Sequence, residues 1–304
     1  MKRLLIIVNP NSGDKSSETI EDQLNEQFKE KNVETRIYQT TGEDNFKELI
    51  QNEMDNELDL VVTLGGDGTI SEVINGIAPL EHRPKVLPLP LGTTNNLVRA
   101  LGMELDLNHL LSAIEEEDVE ERGVDIGRIN NQYFISTVSI GSIPEVAWKT
   151  DDHLKEELGS LAYVFEGAKV INEFTPLDIQ IETKEGSHIL DDVFLVIIGL
   201  TNSIFGIQSF FDEATYDDGK LHFYALKKSN LINETTSIVK HIIDRNNEEE
   251  VDDKLSFVTS FKEAKISSSS SLNSAVDGEK GPKLPFELEV LPKHITFLIP
   301  NSQE

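Results

Sequence analysis

With 304 residues and 38% hydrophobic content, the chain is long enough for two domains with separate cores and too apolar for a disordered segment. Its formal net charge of −28 argues against nucleic acid as a partner, because neutralising phosphates requires clustered Lys and Arg. The lack of any cysteine excludes disulfides, zinc–thiolate sites and thiol nucleophiles and points to the cytoplasm, and no apolar run reaches the ~18 residues of a membrane span.

The segment Leu4–Val8 follows Met1-Lys2-Arg3, a charge-then-apolar order that signal peptides share. Its run is short and Asn9-Pro10 ends it without a small-residue cleavage site, so it reads as a first β-strand. A polar helical stretch from Ser17 to Lys31 comes next, then a strand over Glu34–Tyr38 with Thr40 and Thr41 just beyond it. A helix over Asn45–Met54, a strand over Leu58–Leu64, a helix through Ile70–Gly76, a strand over Lys85–Leu89 and a helix opening at Asn95–Ala100 complete the first part. Such alternation predicts an α/β domain with a doubly wound parallel sheet, whose ligands sit outside the carboxyl ends of the strands.

From Val124 the texture changes to short apolar runs: Tyr133–Ile140, Leu177–Glu182, Val193–Gly199, Leu221–Ala225, Leu255–Phe261, Ala264–Ile266 and Phe286–Val290. Turn residues such as Asn130-Asn131, Glu185-Gly186 and Asp218-Gly219 separate them. The pattern predicts a mainly antiparallel β-sandwich with helices over Glu157–Glu173 and Leu231–Arg245. Asn246 to Asp253 reads as an acidic solvated loop, Ile143 to Trp148 as core ahead of a lipid-facing helix, and His294–Ile299 as a last strand.

The turn Gly65-Gly66-Asp67-Gly68-Thr69 lies between a strand and a helix. Glycines there let backbone approach a ligand, and the N–H groups opening the helix face an anion. A carboxylate among such amides suits a metal-bridged nucleotide, because Mg²⁺ combines one or two carboxylates with phosphate oxygens. Asp67 also has a plainer role open to it as the N-cap of the helix, and Glu72 stands three residues past Thr69 at capping-box spacing. No Gly-x4-Gly-Lys-Ser/Thr sequence exists, so this is not a P-loop kinase. The histidines show no spacing suited to a metal cluster or a triad.

Three further segments accompany that turn: Asn9-Pro10-Asn11-Ser12-Gly13, Pro90-Leu91-Gly92-Thr93-Thr94-Asn95-Asn96, and Asp277-Gly278-Glu279. The four motifs in this order resemble the soluble bacterial diacylglycerol kinases, whose catalytic domain is shared with sphingosine and ceramide kinases. The resemblance covers nearly the whole chain. It implies an NAD-kinase- and phosphofructokinase-like domain over residues 1–123 with a returning strand in 293–304, and a β-rich second domain over 124–292. It also implies a lipid kinase that uses ATP and Mg²⁺ on a lipid with a free hydroxyl, cytoplasmic but touching the membrane surface transiently, with room for a homodimer.

On that resemblance Asn9, Ser12 and Gly13 line the ATP site with Thr40 nearby, and Gly65, Gly66, Gly68 and Thr69 meet the phosphates. Asp67 holds Mg²⁺, and Gly92, Thr93 and Asn96 complete the nucleotide site. The family usually has aspartate where this chain has Asn96, so a nucleotide-binding protein with weak or no kinase activity is a second reading. Glu279 resembles the general base that takes the proton of the lipid hydroxyl; an ordinary Asp-Gly hairpin with an exposed Glu is its plainer alternative. Thr215-Tyr216-Asp217-Asp218-Gly219-Lys220 resembles a second metal loop, with the Asp218 side chain and the Thr215 and Lys220 carbonyls as ligands, against a type I′ Asp-Gly turn. The lysine that the family places straight after the first glycine turn is displaced here to Lys15, behind Asp14. NAD kinase and phosphofructokinase-like sugar kinases share the Gly-Gly-Asp-Gly turn and are the runner-up enzymes, but the Asn-x-Gly-x-Leu-Gly-Phe motif of NAD kinases is absent. The acidic balance suits membrane docking poorly, leaving Lys227-Lys228 and Lys280–Lys283 as candidate basic contacts.

Overall fold

A computed structural model describes residues 3–10, alternate positions from 20 to 28, 33–41, 46–54, 58–91, 95–103, 118–141, 176–202, 210–211, 214–227, 256–270 and 272–300. The chain groups into two compact units, Met1–Asp125 with Pro292–Glu304, and Ile126–Leu291. The expected helices over 157–173 and 231–245, the acidic loop and Trp148 lie outside the described residues.

In the first unit the strands are β1 (Arg3–Val8), β2 (Glu34–Gln39), β3 (Leu60–Gly65) and β4 (Lys85–Pro90), and the helices are α1 (Phe46–Met54), α2 (Asp67–Ile77) and α3 (Asn96–Ala100). The strands pair in parallel in the order β2-β1-β3-β4, with Ile6 opposite both Ile37 and Val62. The end of the last strand, β15 (Phe286–Pro300), lies parallel beside β4, Phe297 facing Val86. Residues 4–8, 61–65 and 86–90 are buried without interruption, as strands covered on both faces must be. The chain leaving each strand stays tied to its neighbour: Thr40 N–H donates to Val8 O (2.8 Å), Asn9 N–H to Leu64 O (2.9 Å) and Leu91 N–H to Gly65 O (3.0 Å). Those bonds hold the turns at one end of the sheet.

The second unit is antiparallel. It takes the second half of β5 (Val119–Ile129), then β6 (Gln132–Phe134), β7 (Thr137–Gly141), β8 (Leu177–Glu182), β9 (Ser187–Gly199), β10 (Leu221–Lys227), β11 (Ser256–Phe261), β12 (Glu263–Ser268), β13 (Asn273–Val276), β14 (Glu279–Lys283) and the first half of β15. Strand β9 organises it. Its first half pairs with β8, and its second half pairs with β7 on one side and β10 on the other. Alternate residues of these strands, among them Ile140, Ile181, Ile198, Phe223, Ile266 and Phe286, close one core.

Three differences from the sequence expectations have local causes. The run Tyr133–Ile140 breaks into two strands because the N–H groups of Ile135 and Ser136 turn to the Asp277 carboxylate. The expected runs 286–290 and 294–299 form one strand through a kink at Lys293, whose φ is 46° and whose N–H donates to Asp125 Oδ1 at 2.7 Å. Asn273–Val276 and Glu279–Lys283 are strands where no strand was expected; they flank a two-residue turn.

Candidate active site

Strand β3 ends at Gly65 and helix α2 begins two residues later, leaving Gly66 as N-cap (φ −95°, ψ −170°). Gly66 has no side chain to cap with, and the first N–H groups of a helix suit an anion. Asp67 is therefore the first helical residue, not the N-cap, and Thr69 lies inside the helix, so no Thr69–Glu72 capping box forms. A Cβ at Gly65 would stand 2.7 Å from Thr69 Cβ and 3.0 Å from its Cγ2, which fits only glycine there. A Cβ at Gly68 would meet no atom beyond its own helix and chain neighbours within 4 Å, and the residue is exposed, so this side of the turn has room for a ligand.

Two bonds tie this turn to its neighbours in the first unit. Asn9 Nδ2, just past β1, donates to Thr69 Oγ1 at 3.3 Å. Asp67 Oδ1 accepts the Leu97 N–H at 3.3 Å, from the first turn of α3. The structure thus brings Asn9, Asp67, Thr69 and the Leu97 amide together at the carboxyl ends of β1, β3 and β4. Thr40 is buried just beyond β2. Asn95 precedes α3 in the left-handed region (φ 50°, ψ 51°), which asparagine tolerates, and Asn96 opens that helix. Ser12, Gly13, Gly92, Thr93 and the Asn96 side chain lie outside the described residues.

The Asp218 carboxylate collects three donors or partners. Oδ1 accepts the Lys220 N–H (2.9 Å), and Oδ2 meets His222 Nε2 (2.7 Å) and the Thr215 N–H (3.4 Å). Burial pushes this carboxyl upward, but the His222 hydrogen bond and charge, with the Lys220 and Thr215 N–H groups, outweigh it and hold the pKa below the ordinary 3.8. Gly219 has φ 71° while Asp218 is not among the described positive-φ residues, so the type I′ turn, which needs both, is not made. His222 was not anticipated; its i+4 relation to Asp218 crosses a turn into a strand and carries no periodic signal.

Glu279 begins β14, is exposed, and pairs across the hairpin with Val276. Asp277 (φ 48°) and Gly278 (φ 91°) form the two-residue turn. Asp277 was also missed as a working residue: its carboxylate accepts the N–H groups of Ile135, Ser136 and Thr137 at 2.9, 2.9 and 3.0 Å.

Among the described residues no group of three or more His, Asp or Glu side chains could hold a metal ion. A cation at Asp67 fits nonetheless, if most of its ligands are phosphate oxygens and water around one hard carboxylate beside an uncapped helix start. At Asp218 both oxygens already accept, so a cation would have to share the carboxylate with His222.

A carboxylate in a glycine turn at the carboxyl end of a parallel sheet suits a nucleotide-dependent phosphotransferase. Residues 3–129 match the family model described as the diacylglycerol kinase catalytic domain. The chain is 32% identical over 306 residues to the diacylglycerol kinase of Bacillus subtilis (strain 168), covering 100% of this chain and 98% of that protein. It is 33% identical over 303 residues to the diacylglycerol kinase of Staphylococcus aureus (strain bovine RF122 / ET3-1), covering 99% and 93%. A crystal structure of a candidate diacylglycerol kinase from Bacillus anthracis str. Sterne superposes with a TM-score of 0.81 at 26% identity, covering 99% of this chain and 95% of that one. The chain belongs to the diacylglycerol kinase family, and the NAD kinase alternative is set aside.

Proposed function

We propose that the protein is an ATP- and Mg²⁺-dependent lipid kinase that phosphorylates the hydroxyl of diacylglycerol or a related lipid. The observation that carries this reading is the uncapped start of α2, with Asp67 and Thr69 tied to Leu97 and Asn9. In this reading residues 1–123 with 293–304 form the nucleotide domain and 124–292 the second domain.

Phosphoryl transfer is mostly positioning and electrostatics. The exposed turn at Gly68 and the first N–H groups of α2 receive phosphate oxygens, with Asn9 and Thr40 on the nucleotide side and Ser12, Gly13, Gly92 and Thr93 completing the pocket. Asp67 would hold Mg²⁺, which would supply positive charge against the phosphates. Glu279 accepts the proton of the lipid hydroxyl as its oxygen bonds to the γ-phosphorus and the bond to the bridging oxygen of ADP breaks. Thr215, Asp218 and Lys220 would hold a second, structural cation only if it shared the Asp218 carboxylate with His222. No helix of the described residues is long and apolar enough to cross a membrane. The exposed Lys280 and Lys283, on the same hairpin as Glu279, offer a transient contact with an anionic membrane surface.

The roles separate in a steady-state assay of phosphate transfer from ATP to diacylglycerol in mixed micelles, titrated with Mg²⁺. Asp67→Asn should raise the Mg²⁺ concentration for half-maximal rate, whereas Glu279→Gln should lower kcat by about 10²-fold or more at an unchanged Mg²⁺ requirement. Wild-type kinetics in both variants would reject this reading. The second reading, a nucleotide-binding protein of little activity, rests on Asn96 standing where the family usually has aspartate; it predicts ATP binding without transfer in the wild type.

A further inference from the structure

We propose that Asp277 is a positioning residue that fixes the aim of Glu279, an inference that rests on Glu279 being the proton acceptor. Strand β14, which Glu279 opens, is the last strand of its sheet path and is hydrogen-bonded only to β13 among the described strands. An edge strand reached through a two-residue turn has little of its own to stop it pivoting about β13. The geometry of the hairpin supplies what is missing.

Three consecutive N–H groups, from Ile135, Ser136 and Thr137, converge on the Asp277 carboxylate. The Asp277 N–H in turn donates to Thr137 O at 2.8 Å. The side chain of one turn residue is therefore bonded to the short loop between β6 and β7, and both its side chain and its backbone are bonded to Thr137, the first residue of β7. Lower in the hairpin, the fully buried Ser274 donates its hydroxyl to Pro282 O at 2.8 Å, fastening β14 to β13. The turn carries the strain of a left-handed Asp277, which an Asp-Gly pair tolerates best. Both Asp277 oxygens are committed to backbone donors, while Glu279 two residues later is exposed. One acid of the pair holds the hairpin still and the other is presented to solvent.

The test uses the full chain and Asp277→Asn, Glu279→Gln and the double variant in the lipid phosphorylation assay. Asparagine keeps the left-handed turn preference but offers one acceptor oxygen in place of two, so one of the three N–H groups loses its partner. We expect Asp277→Asn to lower kcat by about tenfold or more, with the KM for Mg-ATP within about twofold of wild type. The double variant should be no slower than Glu279→Gln, because the positioning acts only through Glu279. An impaired Glu279→Gln beside an unimpaired Asp277→Asn overturns the inference alone. So does a double variant slowed by the product of the two single effects, which marks general structural damage. A fully active Glu279→Gln overturns the base assignment and this inference with it. Amide exchange in the wild type checks the same point without any substitution: the N–H groups of 135–137 must be protected, and exchange as fast as at the exposed Glu185-Gly186 turn overturns the inference.

Discussion

Replacing Gly65 with alanine tests the nucleotide turn at its tightest point. The new Cβ would lie 2.7 Å from Thr69 Cβ, and restoring an ordinary contact of 3.4 Å requires α2 to back away by about 0.7 Å. Rotating the Thr69 side chain does not help, because its Cβ is fixed by the helix backbone. Gly65 has no left-handed φ, so the cost is steric and not conformational. Overpacking of this kind costs roughly 1–3 kcal/mol, lowering Tm by roughly 2–4 °C for each kcal/mol. The retreat also carries Asp67 away from Leu97 and Thr69 away from Asn9. Misplacement on the scale of 1 Å can cost about 10²-fold in rate, so kcat/KM for Mg-ATP should fall by at least about tenfold. The assay is thermal unfolding and ATP kinetics on Gly65→Ala, Thr69→Gly and the double variant. Thr69→Gly removes the obstacle, so the alanine should cost little stability in that background. An equal cost in both backgrounds would refute the steric argument.

Two further outcomes are expected. Because the native Asp218 carboxyl titrates below its ordinary 3.8, the native state binds fewer protons than the unfolded state near that pH. Its stabilisation is therefore fully present above 3.8 and lost as pH falls through the native value, so Asp218→Asn should be less stable than the wild type at neutral pH and should flatten the Tm decline below pH 4; parallel Tm–pH curves would contradict this. On the proposed assignment of Asn96 to the nucleotide site, Asn96→Asp should raise kcat by about tenfold, worth about 1.4 kcal/mol, and lower the Mg²⁺ requirement; unchanged kinetics would show that Asn96 does not limit the reaction.

Strands β1, β3 and β4 were legible because burial on both faces writes them as unbroken apolar runs, and the glycine turn after β3 marks where they stop. Family membership was legible from the four motifs for the same reason: short spans of chain carry them whole. Strand β14 was not, since Glu279-Lys280-Gly281-Pro282-Lys283 is polar and holds a proline, as edge strands do. The bond network of Asp277 was hidden too, because its donors lie about 140 positions away and are backbone N–H groups, which leave no mark on residue type. The Asp67–Leu97 bond has the same character. The apparent capping box at Thr69 and Glu72 misled because the helix begins earlier, at Asp67, where glycine already ends the strand.

The most direct measurement is the fate of labelled γ-phosphate from Mg-ATP presented with vesicles containing diacylglycerol, ceramide or neither. We expect label in a phosphorylated lipid whose formation needs both Asp67 and Glu279, and none with the plain vesicles. Bound ATP with no label in any lipid would contradict it and leave a nucleotide-binding protein on a kinase fold.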